Sequence, residues 1–403
     1  MSALNTQVAT PSRAPGARTA WRGPVLVRDL DNVLLLVSLA LLALGLVMVA
    51  SASMTVAERV FDSPWYYLNR QIAFVGLGLG LGWLAVQIPL ARWRQMAVPL
   101  MLLATVLLAV VLLPGMGRTV KGSTRWLELG VIGFQVAEVM KLAVVVYMAD
   151  YMVRRHADLR GSWGGFLRPL ALVAVAAFLL LLQPDFGAAV VLTIVALAML
   201  FLGGVPLIRF CALGSLAVLA LVALALTTPY RLQRITGFLD PWADPFDSGF
   251  QLTQSLMAIG SGGWSGVGLG ASVQKLFYLP EAHTDFLFAI FAEETGLIGV
   301  LIVIALYVVL VGRAFVLSGR AERADAPFAA HVAAGVGLWI TLQAVINIGV
   351  NMGLLPTKGL TLPLMSYGGS STLMTCVAIG LLLRVSYEVN AGSRQASRRR
   401  VER

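Results

Sequence analysis

The run NVLLLVSLALLALGLVMVASA, residues 32–52, decides the fold of this chain. It carries no charged side chain, and a helix rising about 1.5 Å per residue needs about 20 such residues to cross some 30 Å of hydrocarbon. Its end, Ala50-Ser51-Ala52, faintly resembles a cleavage site, but the run exceeds the roughly 7–15 apolar residues of a signal peptide. It reads as a retained first transmembrane helix.

Nine further apolar runs follow, near 71–88, 96–114, 136–153, 170–183, 187–204, 207–227, 285–312, 328–351 and 369–389. The expectation is an all-α polytopic membrane protein of ten transmembrane helices, with a long outer loop between helices 7 and 8. The chain divides into a disordered cytoplasmic tail (1–31), one ten-helix domain (32–389) and a basic cytoplasmic tail (390–403). The fifth and sixth runs are separated only by Gln183-Pro184-Asp185-Phe186-Gly187, a proline and glycine pattern that reads as a hairpin tip. The segment 228–284 is rich in glycine around Gly260–Gly270 and reads as a mobile loop or flexible connector that lets backbone approach a ligand.

Composition agrees. The 403 residues are 58% hydrophobic and 12% charged, against about 25% charged in soluble proteins. The net charge of +10 does not imply nucleic acid, because basic residues of membrane proteins collect on cytoplasmic loops. With the N-terminus inside, 20 of the 30 Lys and Arg fall on inner segments. Cys211 and Cys376 lie in apolar runs, and His156, His283 and His331 are scattered, so neither a disulfide framework nor a zinc site is expected.

The outer cations oppose that topological rule and invite a chemical explanation. Three constellations accompany them. Glu281, His283 and Asp285 gather at the mouth of the eighth helix, with Glu293-Glu294 about two turns on. Asp285 suits a helix cap, but a carboxylate at the membrane edge reads by default as functional. Arg125 and Trp126 precede Glu138 and Lys141, whose i, i+3 spacing allows an ion pair. Lys141 then either serves that pair alone or faces an anionic head group, and Trp126 is equally an interfacial tryptophan or a substrate platform. From Asn347 to Ser371, glycines, prolines and hydroxyls, with Lys358 and Ser366 among them, suggest non-helical backbone of the kind tolerated at membrane depth around a cavity. A turn-rich loop is the plain alternative.

Together these stretches resemble the SEDS family of bacterial cell-shape and division proteins. The likeness runs from the first helix to the tenth and is carried by Gly122–Leu127, Gln183–Gly187, Gln254–Gly263, Pro280–Ala289 and Leu355–Ser371. Glu281-Ala282-His283-Thr284-Asp285 and Leu355–Thr361 look more like the division member than the elongation member. The resemblance implies a peptidoglycan glycosyltransferase that polymerises lipid II at the septum, on the periplasmic face of the inner membrane. It also implies a class B penicillin-binding protein transpeptidase and other divisome proteins as partners. Asp285 matches the family's essential acid and Lys141 a basic residue important to it. The chain departs from the family in having Gln135-Val136 where Gln-Pro is frequent. It also has Gly133 where some division members have arginine.

The chemistry suits those residues. A glycosidase needs two carboxylates because one must protonate a poor leaving group, whereas pyrophosphate leaves without a proton if cations meet its charge. Asp285 as general base, with Arg125, Lys141, Lys275 and Lys358 as candidates for pyrophosphate and Trp126, Glu138, His283 and Ser366 lining the site, fits an inverting transfer. A divalent cation, Mg or Mn, could assist, but no ligand set is fixed. The competing readings are a lipid II flippase, for which Glu293 and Glu294 would line the path, and a non-catalytic divisome scaffold.

Overall fold

Asp31 begins the first apolar run as a helix: its Oδ1 accepts the Leu34 N–H at 3.1 Å, and its carboxylate holds Arg313 at 2.8 Å. Capping of this kind satisfies an end N–H that the helix itself cannot. The computed structural model describes residues 25–120, 123–129, 132–226, 237–247, 249–356 and 359–401. Residues 1–24 of the N-terminal tail, and Lys121, Arg231, Arg234 and Lys358, lie outside the described residues.

All ten apolar runs fall on helices. These are α1 (Asn32–Phe61), α2 (Tyr66–Gln87), α4 (Ala97–Val111), α5 (Val136–Arg154), α7 (Trp163–Leu182), α8 (Phe186–Leu202), α9 (Leu207–Leu226), α11 (Leu287–Arg323), α12 (Pro327–Asn351) and α13 (Gly369–Val401). Short helices α3 (Leu90–Gln95) and α6 (His156–Gly161) join neighbours, and α10 (Phe250–Gly262) lies in the long loop. Among the described residues, α1, α7, α11, α12 and α13 are long and apolar enough to cross a membrane by length and composition. The protein is therefore a helical polytopic membrane protein. The Gln183–Gly187 tip is a helix break: α7 ends at Leu182, and Asp185 Oδ1 caps α8 by accepting the Ala188 N–H at 3.1 Å.

Two expectations need correction. The fold is not all-α, because a three-stranded antiparallel sheet, β1 (Gly117–Val120), β2 (Ser123–Leu129) and β3 (Ile132–Gln135), stands between α4 and α5. Its register pairs Arg118 with Trp126 and Trp126 with Gln135. Thr119, Val120, Thr124, Trp126 and Phe134 are β-branched or aromatic residues that favour a pleated surface, and the stretch is too polar to form an apolar run.

The second correction concerns the glycine-rich segment, which is built into a helix. Gly296 (φ 65°, ψ −167°) breaks α11, so the N–H groups of Leu297 and Ile298 lose their i−4 partners. They donate instead to the carbonyls of Gly263 (3.0 Å) and Trp264 (3.2 Å), while the freed carbonyls of Glu293 and Glu294 accept from Val267 (3.0 Å) and Gly268 (3.1 Å). Irregular backbone at membrane depth needs such replacement partners. A Cβ at Gly296 would sit 2.3 Å from the Gly266 nitrogen, so both the left-handed φ and the space demand glycine.

The centre of the bundle is α5, sixteen of whose nineteen residues are buried. Around it pack α4, α8 and α12; α12 also packs against α11, and α13 against α2. Lys141 consequently enters the middle of the protein rather than a lipid-facing surface.

Candidate active site

The polar face of α12 organises the site. Gln343, Asn347 and Asn351 recur every four residues, so they form one stripe on an otherwise apolar helix, and each is about 1% exposed or less. Gln343 Oε1 accepts from Lys141 Nζ and from the Trp339 indole, both at 2.8 Å, which fixes its amide so that Nε2 donates to the Thr361 carbonyl at 3.0 Å. One turn on, Asn347 Nδ2 donates to the carbonyls of Asp285 (2.9 Å) and Leu360 (2.6 Å). A further turn brings Asn351 Nδ2 to the same Asp285 carbonyl at 3.0 Å, while its Oδ1 accepts the Ala289 N–H at 3.1 Å. The stripe thus ties α5, the start of α11 and the 360–361 segment together.

Lys141 is 3% exposed and donates to Glu138 Oε1 at 2.7 Å, with its ammonium 5.3 Å from the centre of the Trp339 ring. Glu138 Oε2 and Asn347 Oδ1 are buried without a hydrogen-bond partner among the described residues. Asp285 is half-buried, and its carboxylate lies against Gly359, where a Cβ would come 3.0 Å from Oδ2. Its own N-terminal side is shaped by Glu281, which has φ 58° and accepts the Thr284 hydroxyl at 2.8 Å.

His283 and Ser366 share a neighbourhood on α2. The His283 ring lies 4.5 Å from that of Tyr67 and 5.6 Å from that of Tyr367, whose N–H donates to the His283 carbonyl at 3.0 Å. Burial pushes the Tyr367 phenol above its ordinary range, with the Arg70 guanidinium acting in the opposite sense. Ser366 Oγ accepts the Leu362 N–H at 2.9 Å, and its carbonyl accepts from Gln71 Nε2 at 3.4 Å. Ser366 thus shapes its loop, and it is 3% exposed.

The remaining expected residues fall into two groups. Arg125 and Trp126 lie on β2, Arg125 standing 3.8 Å from Asp185. The sheet joins the site through the Gln135 N–H, which donates to Ser370 Oγ at 2.9 Å, and through Gln135 Nε2 to Asp185 at 3.0 Å. A Cβ on Gly133 would make ordinary contact with the Trp126 ring at 3.5 Å, so space does not exclude a larger residue there. Lys275 is paired elsewhere: its ammonium donates to Glu294 Oε1 at 2.8 Å and Ser51 Oγ at 2.9 Å. Glu293 accepts the Ser272 hydroxyl and the Val273 N–H. Both glutamates therefore pin the loop beside the broken helix. Among the described residues no three His, Cys, Asp or Glu side chains gather as a metal ion would need.

Sequence reasoning missed Gln343, Gln71, Gln135 and Asp185 as parts of this assembly. The four-residue recurrence of Gln343, Asn347 and Asn351 was the available signal, since buried amides on an apolar helix require partners.

Comparison with known proteins gives the same direction. The family model described as cell cycle protein, covering FtsW, RodA and SpoVE, matches residues 31–391. A protein of Thioalkalivibrio sulfidiphilus, named probable peptidoglycan glycosyltransferase FtsW, is 58% identical over 96% of both chains. One of Coxiella burnetii with the same name is 52% identical over 89% of this chain and 96% of its own. Among solved structures, a chain from a study of polymerization and crosslinking by a peptidoglycan synthase complex aligns with a TM-score of 0.74 and 32% identity. That alignment covers 89% of this chain and 98% of the other. The rod shape determining protein RodA of Thermus thermophilus aligns with a TM-score of 0.66 and 30% identity, over 89% and 96% of the chains.

Proposed function

The chain belongs to the SEDS family of cell cycle proteins, and from that premise we propose that it is a peptidoglycan glycosyltransferase that polymerises lipid II at the division septum. Ten helices cross the inner membrane in this reading, with both termini cytoplasmic and the Asp285 end of the bundle periplasmic. The inward bias of Lys and Arg supports that orientation.

The observation that carries the proposal is the α12 stripe, which joins the Lys141 ammonium to the backbone of Asp285 through Gln343 and Asn347. An acid and a cation held by one rigid helix can act on one substrate, because a scaffolded pair keeps its separation. Asp285 takes the proton from an acceptor sugar hydroxyl as that oxygen bonds to C1 of the donor. The C1–O bond to pyrophosphate breaks with its electron pair on the leaving oxygen. No second carboxylate is required, because the leaving group departs as an anion. Lys141, Arg125 and Lys358 are the cations proposed to meet that charge, whereas Lys275 serves loop attachment through Glu294. The open acceptors Glu138 Oε2 and Asn347 Oδ1 suit the hydroxyl and amide donors of a sugar.

A flippase would use Glu293 and Glu294 as path-lining groups, yet both are bonded to Ser272, Val273, Lys275 and Ser51. That arrangement favours polymerisation over transport. A class B transpeptidase is the proposed partner, as is fitting for a chain that resembles a member of a peptidoglycan synthase complex. The test is polymerisation of labelled lipid II by the purified protein with that partner. Asp285→Ala is expected to abolish polymer while the complex stays intact; full polymerisation by the variant overturns the assignment of the base.

A further inference from the structure

Arg70 stands out among the cations of this end of the bundle. It lies in the first turns of α2, half-buried, and its Nη1 donates to the Tyr66 hydroxyl at 2.8 Å. Among the described residues no carboxylate pairs with it, in contrast with Lys141, Lys275, Arg118 and Arg125, each of which has one. A guanidinium carries five N–H donors in a planar fork, and most of this fork is uncommitted.

Its surroundings are fixed by three of its α2 neighbours. Gln71, the next residue, donates to the Ser366 carbonyl and to Thr372 Oγ1 at 3.1 Å, and its Oε1 accepts the Gly368 N–H at 3.4 Å. Tyr67 packs against His283 and, edge-on at 5.1 Å, against Tyr367. Tyr66 stacks on Phe61 at 3.7 Å. The first turn of α2 is therefore locked to the loop that ends at Asp285 and to the segment that follows Gly359. Arg70 rises from an aromatic platform at the edge of the candidate site, with no counter-ion among the described residues and with a donor held by Tyr66. Such a pairing suits a ligand with a bidentate anion and an apolar-faced ring, that is, a phosphorylated sugar.

We propose that Arg70, oriented by Tyr66 and flanked by Tyr67 and Tyr367, binds the pyrophosphate of the lipid-linked sugar. The assignment rests on the glycosyltransferase reading and adds a residue that sequence reasoning left out of the cation set. It adds a cation on the α2 side of Asp285, where no carboxylate among the described residues competes for the guanidinium.

The test uses the full chain with its transpeptidase in lipid nanodiscs and measures binding of undecaprenyl pyrophosphate and undecaprenyl monophosphate, alongside KM and kcat for lipid II. Arg70→Ala is expected to weaken pyrophosphate binding by about tenfold or more and to erase the preference over monophosphate. Arg70→Lys should recover only part, since it keeps the charge without the fork, and Tyr66→Phe should give a smaller loss. Thermal unfolding and co-purification of the partner report folding. Should Arg70→Ala fail to fold, the lysine and Tyr66→Phe variants decide: wild-type pyrophosphate preference in both overturns the assignment. Wild-type affinity in a folded Arg70→Ala also overturns it, as does a loss of thermal stability with the preference unchanged. Absence of any polymerisation by the wild-type protein would instead sink the glycosyltransferase reading, so the two failures are distinguishable.

Discussion

Lys141 Nζ lies 2.8 Å from Gln343 Oε1, and through that amide the buried ammonium is coupled to the backbone of Thr361. A side chain with both a donor and an acceptor is needed for this bridge, because its two ends meet opposite partners.

Gln343→Leu removes both ends. Lys141 keeps Glu138 and the face of Trp339, the Thr361 carbonyl loses its donor, and the buried Trp339 indole loses its acceptor, a buried group left unpaired costing about 1–3 kcal/mol. The variant is expected to unfold at a lower temperature in detergent and to polymerise lipid II at a tenth of the wild-type rate or less, on the order of the cost of a misplaced site. A variant with normal turnover would show that the bridge is structural only.

Gly359→Ala addresses Asp285 from the opposite side. The added methyl would come 3.0 Å from Oδ2, and the crowded atom is the far end of a side chain rather than backbone. The carboxylate should therefore rotate instead of the fold giving way. Steady-state kinetics are expected to show kcat falling while the unfolding temperature stays near that of the wild type; equal loss of both would mean that the segment itself is displaced.

Glu294→Gln tests the clasp on the long loop. Lys275 would keep Ser51 but lose its counter-ion in a site only 8% exposed, and leaving a buried charge unpaired costs about 3–5 kcal/mol. A marked fall in thermal stability is expected. Adding Lys275→Met should restore part of it, since removing both partners removes the orphaned charge. No recovery in the double variant would argue that Glu294 acts through something other than Lys275.

How much of this was legible beforehand differs between fold and site. The ten helical runs follow from local composition: an apolar stretch of sufficient length has one way to satisfy its backbone in hydrocarbon, and that way is a helix. The Gln183–Gly187 break follows from equally local chemistry. The Glu138–Lys141 pair was readable from its spacing, because one helix brings i and i+3 together. The sheet between α4 and α5 was not, since short strands depend on cross-strand neighbours more than on their own residues.

The sequence by itself determined that this chain is a helical membrane protein, which acids and bases lie at the ends of its apolar runs, and which family it resembles. Only the tertiary structure decided their partners. Lys275 could have faced substrate or Glu294, and the glycine run could have been a free loop or the backbone that completes a broken helix. Those choices are set by residues far apart in the chain, such as Lys275 with Ser51 and Gln343 with Lys141. A buried polar group takes whichever partner packing brings within hydrogen-bond reach, and no local pattern of residues encodes that.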